Sequence, residues 1–171
     1  MTTKQLRARG DPNVDAIPWE AGGITAGVIG GATVAVFFLV LDVLAGRPLW
    51  TPYWLGSSFI LGREPAAGSA IQPALVAGYT LIHGAVFVAV GTLASFEFMT
   101  GTRIPGGSRG TRAILLAFLL FVTFELLFLG VASVSAPNAL AVLGGLRLSV
   151  ANAFAAVAMA VYLRRRSPSA S

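Results

Sequence analysis

The chain has 171 residues, of which 56% are hydrophobic and only 11% are charged, whereas an ordinary soluble domain carries about 25% charged residues. It contains no cysteine, which excludes disulfides, thiolate chemistry and iron–sulfur ligation by the chain. The formal net charge is +5. That excess would suit a nucleic-acid partner, unless the positions of the basic residues have another explanation.

Four long apolar stretches occupy most of the chain. We predict membrane spans over residues 22–46, 73–96, 112–134 and 137–163, because a helix of about 20 apolar residues crosses the hydrocarbon core of a bilayer. Little of the chain is left for a separate soluble domain. The predicted fold is therefore all-α, a polytopic membrane four-helix bundle that forms one integral membrane domain over residues 1–171.

The basic residues concentrate in three segments, which precede span one, join spans two and three, and follow span four. These segments hold nine of the twelve basic residues, namely Lys4, Arg7, Arg9, Arg103, Arg109, Arg112, Arg164, Arg165 and Arg166. With four spans, all three segments fall on one side, and the positive-inside rule makes that side cytoplasmic. Topology and anionic lipid head groups thus explain the charge, and we expect no nucleic-acid partner.

The composition and the N-terminal region indicate where the protein resides. Arg outnumbers Lys eleven to one and Ala is abundant, which is typical of bacteria with GC-rich genomes. A polar segment precedes span one, and the apolar run of that span exceeds the 7–15 residues of a signal peptide. We therefore expect span one to be retained, and the protein to lie in the bacterial cytoplasmic membrane with both termini in the cytoplasm.

Span one carries Gly23, Gly27 and Gly31 at a spacing of four residues. Residues four apart lie on one helix face, and small residues there let another helix approach closely. The pattern predicts a helix-packing face, and its partner could be another span of this chain or another protein. Span three is rich in Leu and Phe with few small residues, so we expect it to face lipid most.

A short helix is predicted over residues 52–61, beyond the outer end of span one. Pro48 and Pro52 prevent continuation of span one, and Thr51 followed by Pro52 is typical of an N-cap and a first helical residue. The aromatic side chains Trp50, Tyr53 and Trp54 would anchor this helix at the outer membrane interface. Alternatively, the helix covers an outward-facing pocket or offers a docking surface.

Three segments carry a family resemblance. The junction Asp42-x3-Gly46-Arg47-Pro48-x2-Thr51-Pro52-x2-Leu55-Gly56, together with Tyr79-x3-His83-Gly84 and Phe124-Glu125, resembles small bacterial four-span membrane proteins known mostly as hypothetical. The resemblance covers most of the four spans. It implies the four-span architecture and brings no activity, cofactor or substrate.

Polar residues inside spans are the candidates for function, because ionisable groups are expensive to keep in a bilayer. They are Asp42, His83, Glu125, Arg147 and Asn152. Glu125 and Arg147 fall at similar depth on neighbouring spans, so we expect a buried ion pair, which Asp42 could extend. The alternative is an outward-opening polar cavity in which Arg147 binds an anion and Glu125 exchanges protons.

His83 is the only histidine in the sequence, and Tyr79 precedes it by one helical turn. This spacing favours a hydrogen-bonded histidine in the bundle interior. Ligation of a haem or chlorin by His83, with a partner or a second copy, is the alternative, and no other cofactor is predicted. The spacing of ligands that zinc requires and paired carboxylates for hydrolysis are both missing from the sequence.

Three functional hypotheses follow. The first is a non-catalytic subunit of a larger membrane complex, favoured by the small size, short loops and glycine face. The second is a small oligomeric transporter or channel that uses Arg147, Glu125 and His83. The third is a redox or pigment-binding membrane protein, motivated by His83. An enzyme is the less favoured reading because no catalytic constellation is visible, and we expect a protein partner or a homo-oligomer in the bilayer.

Overall fold

The computed structural model of the chain describes residues 19–100 and 109–166, apart from the side chains of residues 98–100 and 109. The helices are α1 (Trp19–Leu44), α2 (Trp50–Leu61), α3 (Pro73–Thr100), α4 (Arg109–Ser135), α5 (Ala139–Leu143) and α6 (Gly145–Arg166). The predicted all-α class is confirmed. Helices α1, α3, α4 and α6 are long and apolar enough to cross a membrane, so the chain is a multi-pass membrane protein.

The four long helices pack side by side in the order α3, α1, α6, α4. Helix α1 packs against α3 on one side and α6 on the other, and α4 packs mainly against α6. The two outer helices, α3 and α4, meet where the rings of Phe87 and Phe124 stack with centroids 4.4 Å apart. Of the four, α4 is the least buried, so span three has the largest surface left for lipid or a partner.

The glycine face of α1 packs against α3. A Cβ on Gly23 would collide with the backbone at Thr92, and a Cβ on Gly27 would collide with the backbone at Phe87. Gly91 completes the interface from the α3 side, where a Cβ would strike the backbone at Gly23 and Gly27. The partner of this face is therefore another span of the same chain.

Span four is not the continuous helix predicted over residues 137–163. The chain forms the short helix α5, breaks at Gly144 and begins α6 at Gly145. Gly144 has φ 81° and ψ 116°, a conformation that is open to glycine but strained for residues with a Cβ. The break separates α5 from α6, and at this end of the bundle Asn138, which precedes α5, donates a hydrogen bond of 2.8 Å to Glu64, which follows α2. We call this end, with α2, α5 and residues 62–72, the α2 end.

Helix α2 begins at Trp50, two residues earlier than predicted, and Thr51 is not its N-cap. The N-cap is Leu49, which adopts a left-handed conformation with φ 64°. The chain thereby turns back towards the bundle, and a Cβ on Gly56 would collide with the carbonyl of Leu75. Helix α2 therefore rests directly on the backbone of α3.

This docking overturns the expected role of two aromatic anchors. Tyr53 and Trp54 are only 1% and 3% exposed, because α2 turns them into the protein and not towards the membrane interface. Trp50 remains half-buried, with the Arg47 guanidinium 5.3 Å from its ring centroid. Of the three aromatic residues, only Trp50 thus keeps the exposure that an interfacial anchor needs. Helix α2 packs against α3 through its buried face.

Candidate functional site: polar ties and a lateral cleft

Asp42 joins α1 to the start of α2. Its carboxylate accepts a hydrogen bond of 2.7 Å from the Thr51 backbone N–H and another of 2.7 Å from the Thr51 hydroxyl. Both residues are buried. The first helical N–H groups lack intrahelical partners, and a carboxylate there also suits the helix dipole. Asp42 therefore caps α2 from nine residues upstream.

His83 joins α3 to α1. Its Nε2 lies 3.3 Å from the Gly31 carbonyl oxygen, and its Nδ1 lies 3.4 Å from the Tyr79 hydroxyl. A carbonyl only accepts, so Nε2 carries the proton in this pairing and Nδ1 accepts from Tyr79. The ring also packs against Phe87, with centroids 4.7 Å apart. The structure thus shows hydrogen bonds at both ring nitrogens of this part-buried histidine.

Glu125 joins α4 to α6. Its carboxylate accepts a hydrogen bond of 3.0 Å from the Asn152 side-chain amide and one of 3.3 Å from the Ser149 hydroxyl. Ser149 and Asn152 are three residues apart, so they lie on the same face of α6. This i, i+3 spacing is the signal in the sequence that could have identified Ser149 as a partner.

The expected ion pair between Glu125 and Arg147 is wrong. Arg147 is exposed, and its side chain folds back beside Gly144. It precedes Ser149 by two residues, which is a rotation of about 200° around the helix. Arg147 and Glu125 lie at similar depth along their helices. However, the Arg147 side chain leaves α6 on a different side from Ser149, which bonds to Glu125. Asp42 does not extend the pair, because its carboxylate bonds to Thr51.

The predicted polar residues therefore form separate ties and not one cluster. Asp42, His83 and Glu125 each bond to a different neighbouring helix. Within residues 19–100 and 109–166, no group of three or more His, Asp and Glu residues is placed to hold a metal ion. Both ring nitrogens of His83 have partners inside the chain, so ligation of a haem or chlorin would require breaking the bond either to Gly31 or to Tyr79.

A lateral cleft of about 180 Å³ lies between α3 and α4, on the α2 side of the stacked Phe87 and Phe124 rings. All six helices contribute to its walls. The lining residues are Val34, Phe38, Leu55, Phe59, Tyr79, Ile82, His83, Val86, Phe87, Phe124, Leu127, Phe128, Val131, Leu143, Leu148 and Asn152. The exposed members are Ile82, Val86, Leu127 and Val131, so the cleft opens sideways towards lipid.

A second cleft of about 180 Å³ lies on the other side of Tyr79 and His83, against α1 and the start of α2. Both clefts are lined by Val34, Phe38, Tyr79 and His83. These four side chains thus form a partition between two spaces that the sequence did not predict. The sequence indicated His83 as a candidate for chemistry. In the structure its ring is also part of the wall between the two clefts.

Comparisons with protein-family models, with curated proteins and with solved structures yield no match to this chain.

Proposed function

We propose that this multi-pass membrane protein is a non-catalytic subunit of a larger membrane complex. The observation that carries the proposal is the use of the intramembrane polar groups. Asp42, His83 and Glu125 hold helices of the same chain together, and polar groups inside membrane proteins commonly serve as such ties. A scaffold needs these ties, whereas transport needs polar groups that line a path.

The alternative of a small transporter or channel depended on Arg147, Glu125 and His83 acting together. Glu125 bonds to α6 and His83 bonds to α1, while Arg147 is exposed at the start of α6. The geometry therefore supports this alternative less well than the scaffold. Flux through liposomes that is lost in a folded Arg147→Ala variant would reverse the preference.

Helix α4 is the surface that we propose for the protein partner. It packs mainly against α6, and its other faces carry large exposed side chains, among them Phe118 and Leu119. Van der Waals packing drives the association of helices in membranes. A neighbouring transmembrane helix along α4 would bury this surface without disturbing the ties described above.

Extraction from the native membrane in mild detergent tests the proposal. We expect the tagged protein to co-purify with a defined set of proteins at stoichiometric levels. A photo-crosslinking residue at Leu119 on α4 should capture one of them, and the same residue at Val28 on α1, which is also exposed, serves as the matched control. A protein that runs alone or only with copies of itself would contradict the assignment.

The orientation that we propose places both termini in the cytoplasm of a bacterial cell. Among the described residues, Arg164, Arg165 and Arg166 end α6 at the end of the bundle opposite α2, as the positive-inside rule favours. Because the chain has no cysteine, single-cysteine variants label without background. Ala67→Cys should react with an impermeant reagent outside the cell, and Arg165→Cys should not. The reverse pattern would overturn the orientation.

A further inference from the structure

We infer that the lateral cleft is a binding site for a membrane-soluble amphiphile whose head is a single ring bearing a hydroxyl or carbonyl group. Quinols and phenolic lipids have this chemistry. The inference is independent of the proposed subunit role, because a cleft inside one chain requires no protein partner. Three features of the cleft carry it: its size, the rings in its wall and one polar side chain at its base.

The size of the cleft selects a small apolar body. An engineered protein cavity of about 150 Å³ holds one benzene molecule, and the cleft measures about 180 Å³. A transmembrane helix has a diameter of about 10–12 Å with its side chains and is too wide to enter. A ring fits, and a tail attached to it can leave through the mouth between Val86 and Val131.

The wall of the cleft is rich in rings. Seven side chains with rings contribute to its lining, namely Phe38, Phe59, Tyr79, His83, Phe87, Phe124 and Phe128. Aromatic rings favour offset-stacked or edge-to-face contacts, which stabilise a pair of rings beyond the burial of their surface. The wall therefore favours a flat ring over an acyl chain of the same volume.

Asn152 supplies the polar contact. Its residue is only 4% exposed, yet it lines the cleft. The side-chain nitrogen donates to Glu125, and an ionised carboxylate only accepts, so this bond fixes which way the amide points. Within the described part of the chain, the bond to Glu125 is the one shown for the Asn152 side chain, which leaves its amide oxygen for a ligand in the cleft. This oxygen can accept from a ring hydroxyl, and the remaining N–H can donate to a carbonyl.

The test compares three probes on the purified full-length protein in mild detergent. They are decylbenzoquinol, which has ring, oxygen and tail; decylbenzene, which lacks the oxygens; and decanol, which lacks the ring. Binding to the folded state raises the unfolding temperature. At about a hundredfold excess over the dissociation constant, the quinol should raise it by about 5–10 °C. Decylbenzene should raise it less, and decanol should not raise it.

A matched pair of variants locates the site. Val131→Trp places a large ring at the mouth of the cleft, while Val28→Trp makes the same change on α1, away from both clefts. Val28 is 57% exposed and Val131 is 49% exposed, so both positions tolerate the larger side chain. We expect the quinol shift to be lost in Val131→Trp and retained in Val28→Trp.

Each contrary result overturns the inference. An equal shift with decanol would identify an acyl-chain site, and an equal shift with decylbenzene would remove Asn152 from recognition. A quinol shift retained in Val131→Trp would place binding elsewhere on the protein. No shift with any probe would mean that the cleft does not bind ring amphiphiles.

Discussion

Replacing Gly27 by alanine should separate α1 from α3. The new Cβ would lie 2.7 Å from the Phe87 carbonyl carbon, more than half an ångström short of the 3.4 Å at which ordinary contact begins. The obstructing atoms belong to the backbone of α3, so no side-chain rotation relieves the overlap. The two helices must therefore move apart where α1 and α3 pack most closely.

The expected loss of stability follows from that displacement. A gap of about 0.5–1 Å forfeits a quarter to a half of the van der Waals attraction between the atoms it separates, and overpacking typically costs about 1–3 kcal/mol. Alanine is favoured over glycine in a helix by about 0.5–1 kcal/mol, which offsets part of the cost. We expect Gly27→Ala to lower the free energy of unfolding by about 2 kcal/mol.

Two other glycines provide matched controls. A Cβ on Gly31 would meet the Phe87 Cβ at 3.4 Å, an ordinary contact, and a Cβ on Gly130 would meet nothing within 4 Å. Gly31→Ala should therefore be nearly neutral, and Gly130→Ala should stabilise by up to about 1 kcal/mol. The assay is unfolding in mixed micelles followed by circular dichroism. Equal stability of Gly27→Ala and Gly130→Ala would refute the close packing of α1 on α3.

The polar ties give three more predictions, each measured by the same unfolding assay. Asp42→Ala leaves both Thr51 donors buried without a partner and should cost about 2–4 kcal/mol, whereas Asp42→Asn keeps one acceptor and should cost less; equal costs would exclude the capping role. Glu125→Ala should cost about 2–3 kcal/mol because it leaves the Asn152 amide unpaired. Arg147→Ala should change the free energy of unfolding by no more than about 0.5 kcal/mol. A loss as large as that of Glu125→Ala would instead support an ion pair between Arg147 and Glu125.

The sequence was sufficient to predict the four spans, because hydrophobic length is the property that a bilayer selects. Span one was predicted over residues 22–46 and is a helix over Trp19–Leu44. The break at Gly144 was missed because a Gly-Gly pair in an apolar run also suits close packing. Only contacts between α5 and its neighbours distinguish the two uses of glycine, and such contacts are not local in the sequence.

The candidate site was predicted residue by residue but not in its pairing. Distance along a span gives the depth of a residue, whereas the direction of its side chain depends on how each helix is rotated in the bundle. Glu125 and Arg147 agree in depth and differ in direction. Tyr53 and Trp54 illustrate the same limit, since an aromatic residue near a span end suits the membrane interface and the protein interior equally well.

The Glu125 tie has a consequence for how the chain enters the membrane. Asp42 bonds to Thr51, nine residues later, and His83 bonds to Gly31 in a preceding span. The partners of Glu125 are Ser149 and Asn152, which follow it by 24 and 27 residues and are therefore synthesised after it. An acidic or basic side chain at the centre of an inserting helix costs about 2.5–3.5 kcal/mol. Helix α4 inserted alone would carry this cost for Glu125. Helix α6 lowers it, because Ser149 and Asn152 donate hydrogen bonds to the Glu125 carboxylate. We therefore expect the insertion machinery to release α4 and α6 into lipid as a hairpin, so that a chain truncated before Ser149 should insert poorly.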